Sequence, residues 1–384
     1  MLYREMGKTG VKVSQLGFGC MRFPVLDGDN SKIDEVQSTE MIEYAIANGV
    51  NYFDTAYVYH GSFAGQGRSE FFTGKALKPH RDKVYIATKL PAWMVKSPAD
   101  NMRFLDEQLK ALDTDTIDFY LLHSLGQWSY DNLKKNDIFN FIDKAKAAGK
   151  IKHIGFSFHS TYDDFNYIFN DYDWEFAQIQ YNILDTEYQA GEAGLNQMGA
   201  KGTGAVIMEP LRGGTITDVV KPARDLLAAY APDRTMADWA LSWLFNQPEI
   251  STVLSGMSSL DQVKENIEIA SRAEIGGMPE KERILLGQAA AMVKDTLKVP
   301  CTACQYCMPC PQGVNIPENF SNYNTYYYYE ANSAARDTVV SNYKTYFAES
   351  EWAKHCISCG VCESHCPQHI KISERMPEVA DLFK

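Results

Sequence analysis

From the start of the chain to about residue 270, short apolar runs alternate with amphipathic stretches. The runs are Leu16–Met21, Tyr52–Ala56, Val84–Leu90, Asp118–His123, Ile151–Phe158, Phe176–Tyr181, Ala205–Leu211 and Thr252–Met257. Each is nearly continuous in apolar residues, the pattern of a parallel strand covered on both faces. Between them, Thr39–Asn48, Asp100–Leu112, Asp137–Ala148 and Leu260–Ala270 carry helical periodicity, and Gly49 and Gly149 stand where helix C-caps belong. Eight such units in about 270 residues predict an α/β fold, a closed (β/α)₈ TIM barrel. An open doubly wound sheet would want a glycine fingerprint leading from its first strand into a helix. Gly17-Phe18-Gly19-Cys20-Met21-Arg22 lacks the third glycine. Tyr3–Met6 and Lys12–Gln15 flank Gly7-Lys8-Thr9-Gly10 as an N-terminal hairpin expected to close the bottom of the barrel.

The pattern changes after residue 280. Lys281–Lys298 reads as one linking helix ended by Pro300, and beyond it cysteines cluster and tyrosines run together at Tyr326–Tyr329. Two domains are expected, a barrel over 1–280 and a small, mostly helical domain over 281–384, with Tyr343–Lys354 helical.

Eight of the nine cysteines lie between Cys301 and Cys366. A secreted disulfide framework would not leave three hundred residues nearly free of cysteine, and thiols at two-residue intervals are metal ligands. Cys301, Cys304, Cys307 and Cys310-Pro311 form one motif; Cys356, Cys359, Cys362 and Cys366-Pro367 form the other. Zinc takes two CxxC pairs and has no use for a third cysteine at the same interval. In two-cluster ferredoxins the cysteine before proline serves the other cluster. That logic gives one [4Fe–4S] cluster Cys301, Cys304, Cys307 and Cys366, and a second Cys356, Cys359, Cys362 and Cys310. Only two residues separate Cys307 from Cys310, where three are usual, so the ligand role of Cys310 stays open. The clusters either carry electrons or staple a small fold. Cys20, in an apolar strand, reads as core.

In the barrel half, Asp54 ends the second strand with Tyr59 close behind, Lys89 ends the third and His123 the fourth. The C-terminal rim of such a barrel is where chemistry is done. A tyrosine is a poor acid at neutral pH unless an ammonium stands beside it; Lys89 supplies one, and Asp54 makes its burial tolerable. The expected reaction is hydride addition to a carbonyl, with Tyr59 as general acid and His123 holding the substrate oxygen.

With Asn51-Tyr52-Phe53-Asp54-Thr55-Ala56, Tyr59, Lys89 and Leu121-Leu122-His123, residues 1–270 resemble the aldo-keto reductases. The cysteine-rich tail resembles the helical two-cluster ferredoxin domains, so the chain looks like the iron–sulfur branch of that superfamily. The resemblance implies NADP or NAD bound extended across the rim, with Ser157 and Gln178 on the nicotinamide carboxamide. It implies Met208 packed on the nicotinamide, Glu209, Pro210, Leu211 and Gly213 along the pyrophosphate, and Gly256, Ser258, Ser259, Gln262, Glu265 and Asn266 at the adenine ribose and phosphates. Three positions depart from the family: Phe158 in place of an asparagine, Met208 in place of an aromatic, and Gln262 in place of an arginine. The last leaves NADP against NAD undecided.

A net charge of −12 excludes a phosphate-tracking nucleic-acid binder. No 18-residue apolar run and no signal-peptide core occur, so a cytoplasmic protein is expected, with a small carbonyl or alcohol substrate and a redox protein as candidate partner. Substrate specificity is expected from the rim loops Gly61–Gly67, Pro91–Ser97 and Ser124–Lys135, with Trp93 and Trp128 as a wall. Hydride moves two electrons and a cubane takes one, and no flavin fingerprint supplies a converter. Independent roles for barrel and clusters therefore rank above a relay. The alternative is an electron-transfer or docking module whose barrel senses nucleotide without turnover.

Overall fold

The computed structural model describes residues 1–61, 65–214, 216–217, 219–329 and 333–384. Of the rim loop Gly61–Gly67, residues 62–64 lie outside the described residues. In chain order the regular elements begin with β1 (Tyr3–Glu5), β2 (Lys12–Ser14), β3 (Leu16–Gly19), α1 (Glu35–Ala47), β4 (Tyr52–Asp54), α2 (Ser69–Leu77), β5 (Tyr85–Leu90) and α3 (Pro98–Ala111). Then come β6 (Ile117–Leu125), α4 (Gln127–Lys135), α5 (Ile138–Ala147), β7 (Ile151–Phe158), α6 (Tyr162–Asp171), β8 (Phe176–Gln180), α7 (Gly191–Lys201) and β9 (Gly204–Met208). The last are α8 (Lys221–Ala228), α9 (Met236–Phe245), β10 (Ile250–Ser255), α10 (Leu260–Arg272), α11 (Glu280–Lys294), α12 (Ile316–Tyr328), α13 (Ser333–Tyr346) and α14 (Ile372–Leu382).

All eight expected barrel strands form, and they close in the order β10-β3-β4-β5-β6-β7-β8-β9, every pair parallel. The chain thus folds as an eight-stranded parallel barrel followed by a helical region. Side chains of Tyr52, Ala87, Phe119, Leu121, Phe176, Val206 and Leu254 fill one end of the interior, together with Met6 and Val13 from the hairpin β1–β2. The hairpin therefore does cork the barrel. Gly7 makes this approach possible: a Cβ there would lie 2.2 Å from the Gly204 nitrogen, at a φ of +52°. Arg4 donates to the carbonyls of Gln247 (2.8 Å), Ile250 (2.9 Å) and Phe245, binding the hairpin to the end of α9 and the start of β10.

Two compact units are present: Met1–Leu211 with Ala237–Glu280, and Arg212–Met236 with Lys281–Lys384. Residues 212–236 go with the second unit because Tyr328 donates to the Val219 carbonyl at 2.7 Å and Arg234 pairs with Glu282 at 2.6 Å. The core of that unit is small, built on residues such as Val314, Phe320, Tyr343, Ile372, Met376 and Val379. Asn319, fully buried, holds it together: its Oδ1 accepts from Tyr343 Oη (2.5 Å) and the Ala353 N–H (2.8 Å). The helix expected over Tyr343–Lys354 instead ends at Tyr346 and gives way to 3₁₀ turns at Glu349–Glu351 and Ala353–His355. The Ala353 N–H and the Trp352 indole, which donates to Phe347 O at 2.9 Å, fix those turns. Among the described residues no helix is long and apolar enough to cross a membrane.

Candidate active site and metal centre

Asp54 is the last residue of β4, Lys89 the penultimate residue of β5, and His123 lies in β6. Parallel pairing of these neighbours carries the three side chains to one mouth. Lys89 is wholly buried, and its ammonium donates to Asp54 Oδ1 at 2.6 Å, the Thr55 carbonyl at 2.7 Å and Tyr59 Oη at 3.3 Å. Three oxygen acceptors around one ammonium satisfy its three donors. Burial pushes the Lys89 ammonium below the usual lysine range, and the Asp54 charge opposes this. Burial likewise raises the Asp54 carboxyl, countered by Lys89. The Tyr59 ring lies edge-on to His123, with centroids 6.0 Å apart, and the Trp93 ring lies tilted against that imidazole at 5.2 Å. Trp128, by contrast, is 71% exposed and builds no wall.

His123 is held well below the ordinary 6.5, first by burial, then by the Lys89 charge, then by His159. The imidazole is therefore neutral at pH 7 and can present an N–H to an oxygen without being an acid. This has a consequence for stability. An unfolded chain binds that proton near ~6.5, so below this pH the unfolded state holds one proton more and stability falls as pH falls. Between pH 6.5 and 5.5 the protein is expected to lose about 1 kcal/mol more than its His123→Gln variant. Urea unfolding of both at the two pH values checks this, and equal losses would show His123 already protonated in the fold.

Behind Lys89 lies a group with no signal in the sequence. Glu70, wholly buried near the N-terminus of α2, accepts from Thr88 Oγ1 (2.6 Å), Gln108 Nε2 (2.7 Å) and Gln66 Nε2 (3.0 Å). Gln108 also donates to the Lys89 carbonyl at 3.0 Å and accepts from Tyr120 Oη at 2.7 Å. Next to Glu70, the Ser69 hydroxyl shares a 2.8 Å hydrogen bond with Thr55 Oγ1 and donates to the Cys20 carbonyl at 2.9 Å. The start of α2 thus staples the ends of β3, β4 and β5. In sequence Glu70 is one acid among many on a helix. Only the fold shows that it is sealed. Cys20 is buried core, its thiol pushed up to about 12 by burial.

The residues expected to hold a nucleotide fall into separate groups. Ser157, at the end of β7, accepts from the Ser124 N–H at 2.8 Å. Gln178 of β8 is 2% exposed; its Nε2 faces Met208 Sδ at 3.5 Å, while its Oε1 is buried without a hydrogen-bond partner among the described residues. Glu209, at a φ of +55°, Pro210 and Leu211 follow β9 in the barrel unit, and Gly213 follows in the second unit. After β10, Gly256 and Ser258 are exposed and Ser259 caps α10, its hydroxyl accepting from the Gln262 N–H at 3.3 Å. Gln262 Oε1 accepts from the Ser258 N–H at 2.8 Å, Glu265 is half-buried, and Asn266 is buried on Ser255 Oγ at 3.0 Å. An orphaned buried amide oxygen at the rim fits a ligand carboxamide, which would supply the missing donor.

In the second unit, no three Cys, His, Asp or Glu side chains among the described residues gather tightly enough for a single metal ion. The eight cysteines instead surround two spaces. Cys301, Cys304, Cys307 and Cys366 line one of about 290 Å³, and Cys310, Cys356, Cys359 and Cys362 line one of about 350 Å³. Each motif's cysteine before proline thus stands with the other motif's three. Four thiols around a largely apolar space fit a four-iron cluster, whose irons each take one thiolate.

Residues 15–275 match the Aldo/keto reductase family, and residues 300–370 match the 4Fe-4S dicluster domain. The chain belongs to the aldo/keto reductase family and carries a C-terminal 4Fe-4S dicluster domain. It is 28% identical over 303 residues to the L-galactose dehydrogenase of Arabidopsis thaliana, covering 72% of this chain and 91% of that one. It is 26% identical over 333 residues to Protein tas of Escherichia coli (strain K12), covering 70% and 92%. Among solved structures, the holo form of the aldo-keto reductase AKR11C1 from Bacillus halodurans superposes with a TM-score of 0.60 at 27% identity, over 75% of this chain and 96% of that one.

Proposed function

We propose that this oxidoreductase reduces a carbonyl, or oxidises an alcohol, using NADPH or NADH, and that its tail holds two [4Fe–4S] clusters. The observation that carries the reading is the contact of the sealed Lys89 ammonium with both Asp54 and the Tyr59 hydroxyl. When bound, the nicotinamide supplies the hydride. Tyr59 gives its phenolic proton to the carbonyl oxygen, and Lys89 stabilises the phenolate that remains. Asp54 keeps Lys89 charged and aimed, because an ammonium in so dry a place needs a counter-charge. Neutral His123 donates an N–H to the same oxygen, and Trp93, packed against the imidazole, helps to exclude water. Gln178 and Ser157 orient the carboxamide, and the barrel segments 208–211 and 256–266 carry the rest of the nucleotide. For the clusters, Cys301, Cys304, Cys307 and Cys366 hold one and Cys310, Cys356, Cys359 and Cys362 the other; the membership of the two spaces supports this pairing.

The test is made on anaerobically purified protein. Iron and acid-labile sulfide are expected at about eight each per chain, as two four-iron clusters require. Oxidation of NADPH or NADH is expected to depend on an added aldehyde or ketone across a carbonyl panel. Nucleotide binding without turnover of any carbonyl would favour a sensor and sink the enzyme reading.

A further inference from the structure

Among the described residues Glu70 is the one buried glutamate, and the proton transfer assigned to Tyr59 makes no direct use of it. Its place at the start of α2 nevertheless ties it to both partners of that transfer. The neighbouring Ser69 N–H donates to the Tyr59 carbonyl at 3.1 Å, and the Ser69 hydroxyl holds Thr55, whose own carbonyl receives the Lys89 ammonium. Glu70 Oε1 receives Gln108 Nε2, which also donates to the Lys89 carbonyl. Successive side chains of a strand leave on opposite faces, so Thr88 meets Glu70 on the outer side of β5 while Lys89 reaches inward to Tyr59. The hydrogen bonds mark the form of the carboxyl group. The Lys89 carbonyl can only accept, so the Gln108 atom facing it and Glu70 is the amide nitrogen. Thr88 Oγ1 itself receives Gln108 at 3.2 Å, which turns its own proton toward Glu70. With Gln66, three donors converge on the two oxygens, a set that a carboxylate satisfies with no proton of its own. Burial pushes the Glu70 carboxyl up, and the bonds from Thr88, Gln66 and Gln108 and the Lys89 charge pull it down.

We propose that Glu70 is a positioning residue of the proton transfer and acts as a carboxylate: it braces Lys89 through Gln108, and its negative charge joins that of Asp54 in keeping the proton on Tyr59 until the carbonyl oxygen takes it. This rests on the reading of Tyr59 as general acid. Lys89 alone would favour the phenolate and empty the acid before substrate arrives. A second buried negative charge opposes that loss and helps to hold the ammonium charged. The other titratable groups that face this cluster are neutral at pH 7. From β6 come His123, held well below 6.5, and Tyr120, raised by burial. Cys20, after β3, is pushed up to about 12, and Tyr57, after β4, is also raised by burial. Arg68 before α2 and Asp106 of α3 are exposed and Glu107 of α3 is half-buried, so water and salt screen their charges. Lys89, Asp54 and Glu70 are the charges that act on Tyr59.

The test uses the full chain, with the carbonyl compound of the panel that is turned over fastest and the alcohol made from it. Removing a unit charge about 10 Å away, at an effective dielectric of about 20, moves a proton equilibrium by about one pH unit. In Glu70→Gln, the pH above which reduction fails, because Tyr59 has lost its proton, is expected about one unit lower. The pH at which oxidation sets in, which needs the phenolate, is expected to fall by as much. Ser69→Ala loosens the same frame without changing its charge, and Glu70→Asp keeps the charge on a shorter arm. Both are expected to lower turnover while the two pH limbs stay in place. Unmoved limbs in Glu70→Gln, or limbs that move as far in Ser69→Ala, overturn the proposal. If Glu70→Gln does not fold, infrared spectra of the parent protein carrying isotope-labelled glutamate decide. No carboxylic acid band from glutamate is expected at pH 7, and such a band overturns the proposal. Tyr59→Phe, run alongside, separates the two claims. If that variant is as active as the parent, the general-acid reading falls and the proposal falls with it. If it is inactive while the Glu70→Gln limbs stay put, only the role of Glu70 is lost.

Discussion

Tyr59→Phe is expected to lower the turnover of carbonyl reduction by about 10²- to 10⁴-fold, the range of a lost general acid. Nucleotide affinity should stay within about twofold, because the hydroxyl removed is the one that Lys89 holds at 3.3 Å for the proton transfer. The substitution is conservative for the fold. The ring is 8% exposed and lies 4.8 Å from the Lys89 ammonium, a cation–π contact that phenylalanine keeps. Steady-state kinetics together with fluorescence titration of the nucleotide separate the two quantities. Equal turnover in the variant and the parent would show that the proton comes from elsewhere.

Anaerobic removal of iron is expected to unfold the second unit while the barrel stays folded. The loops that bear the cysteines have little regular structure, and Ala303, Gln305 and Ser358 are held at positive φ, where a side chain is disfavoured. Ligation must hold such loops in place. For structural metals the binding free energy is on the order of 10 kcal/mol, and it is folding free energy. Without iron, Cys366 and Cys362 would remain as buried thiols in a core of modest size, the latter pushed up to about 11 by burial. Loss of helical circular dichroism and rapid proteolysis after residue 280, with nucleotide binding retained, are the expected outcome. An iron-free protein that keeps its helices would show that packing alone suffices.

Much of this was legible in the sequence because it is written in period and spacing. A strand buried on both faces must be apolar throughout, so eight runs announced eight strands, and the order of the closed sheet follows from their parallel succession. Asp54, Lys89 and His123 were visible for the same reason: each is a polar residue interrupting or ending such a run. The cysteine intervals were as readable, and Cys310, left open by its short spacing, lines the space that the crossing pattern anticipates. Glu70 was not visible, since nothing in a helical stretch marks which acid will face three strand ends. Nor was the end of α13, which depends on Asn319 drawing in the Ala353 N–H from another part of the chain. Trp128 could not be told from Trp93, because a rim aromatic reads the same whether it packs or faces water. The placement of 212–236 depends on contacts with α11 and α12, which no local pattern encodes.

Arg4 and its carbonyl partners have a bearing on synthesis. The guanidinium waits for acceptors as far as 246 residues along the chain, so on a ribosome the cork and the first strands exist long before the segment that secures them. Closing so long a loop comes late and slowly. Until Ile250 has been made, β3 also lacks its neighbour β10 and offers an open strand edge. The nascent barrel is then most open to wrong pairing. A chaperone that shields that edge until β10 arrives would guard the stage at which the chain is most exposed.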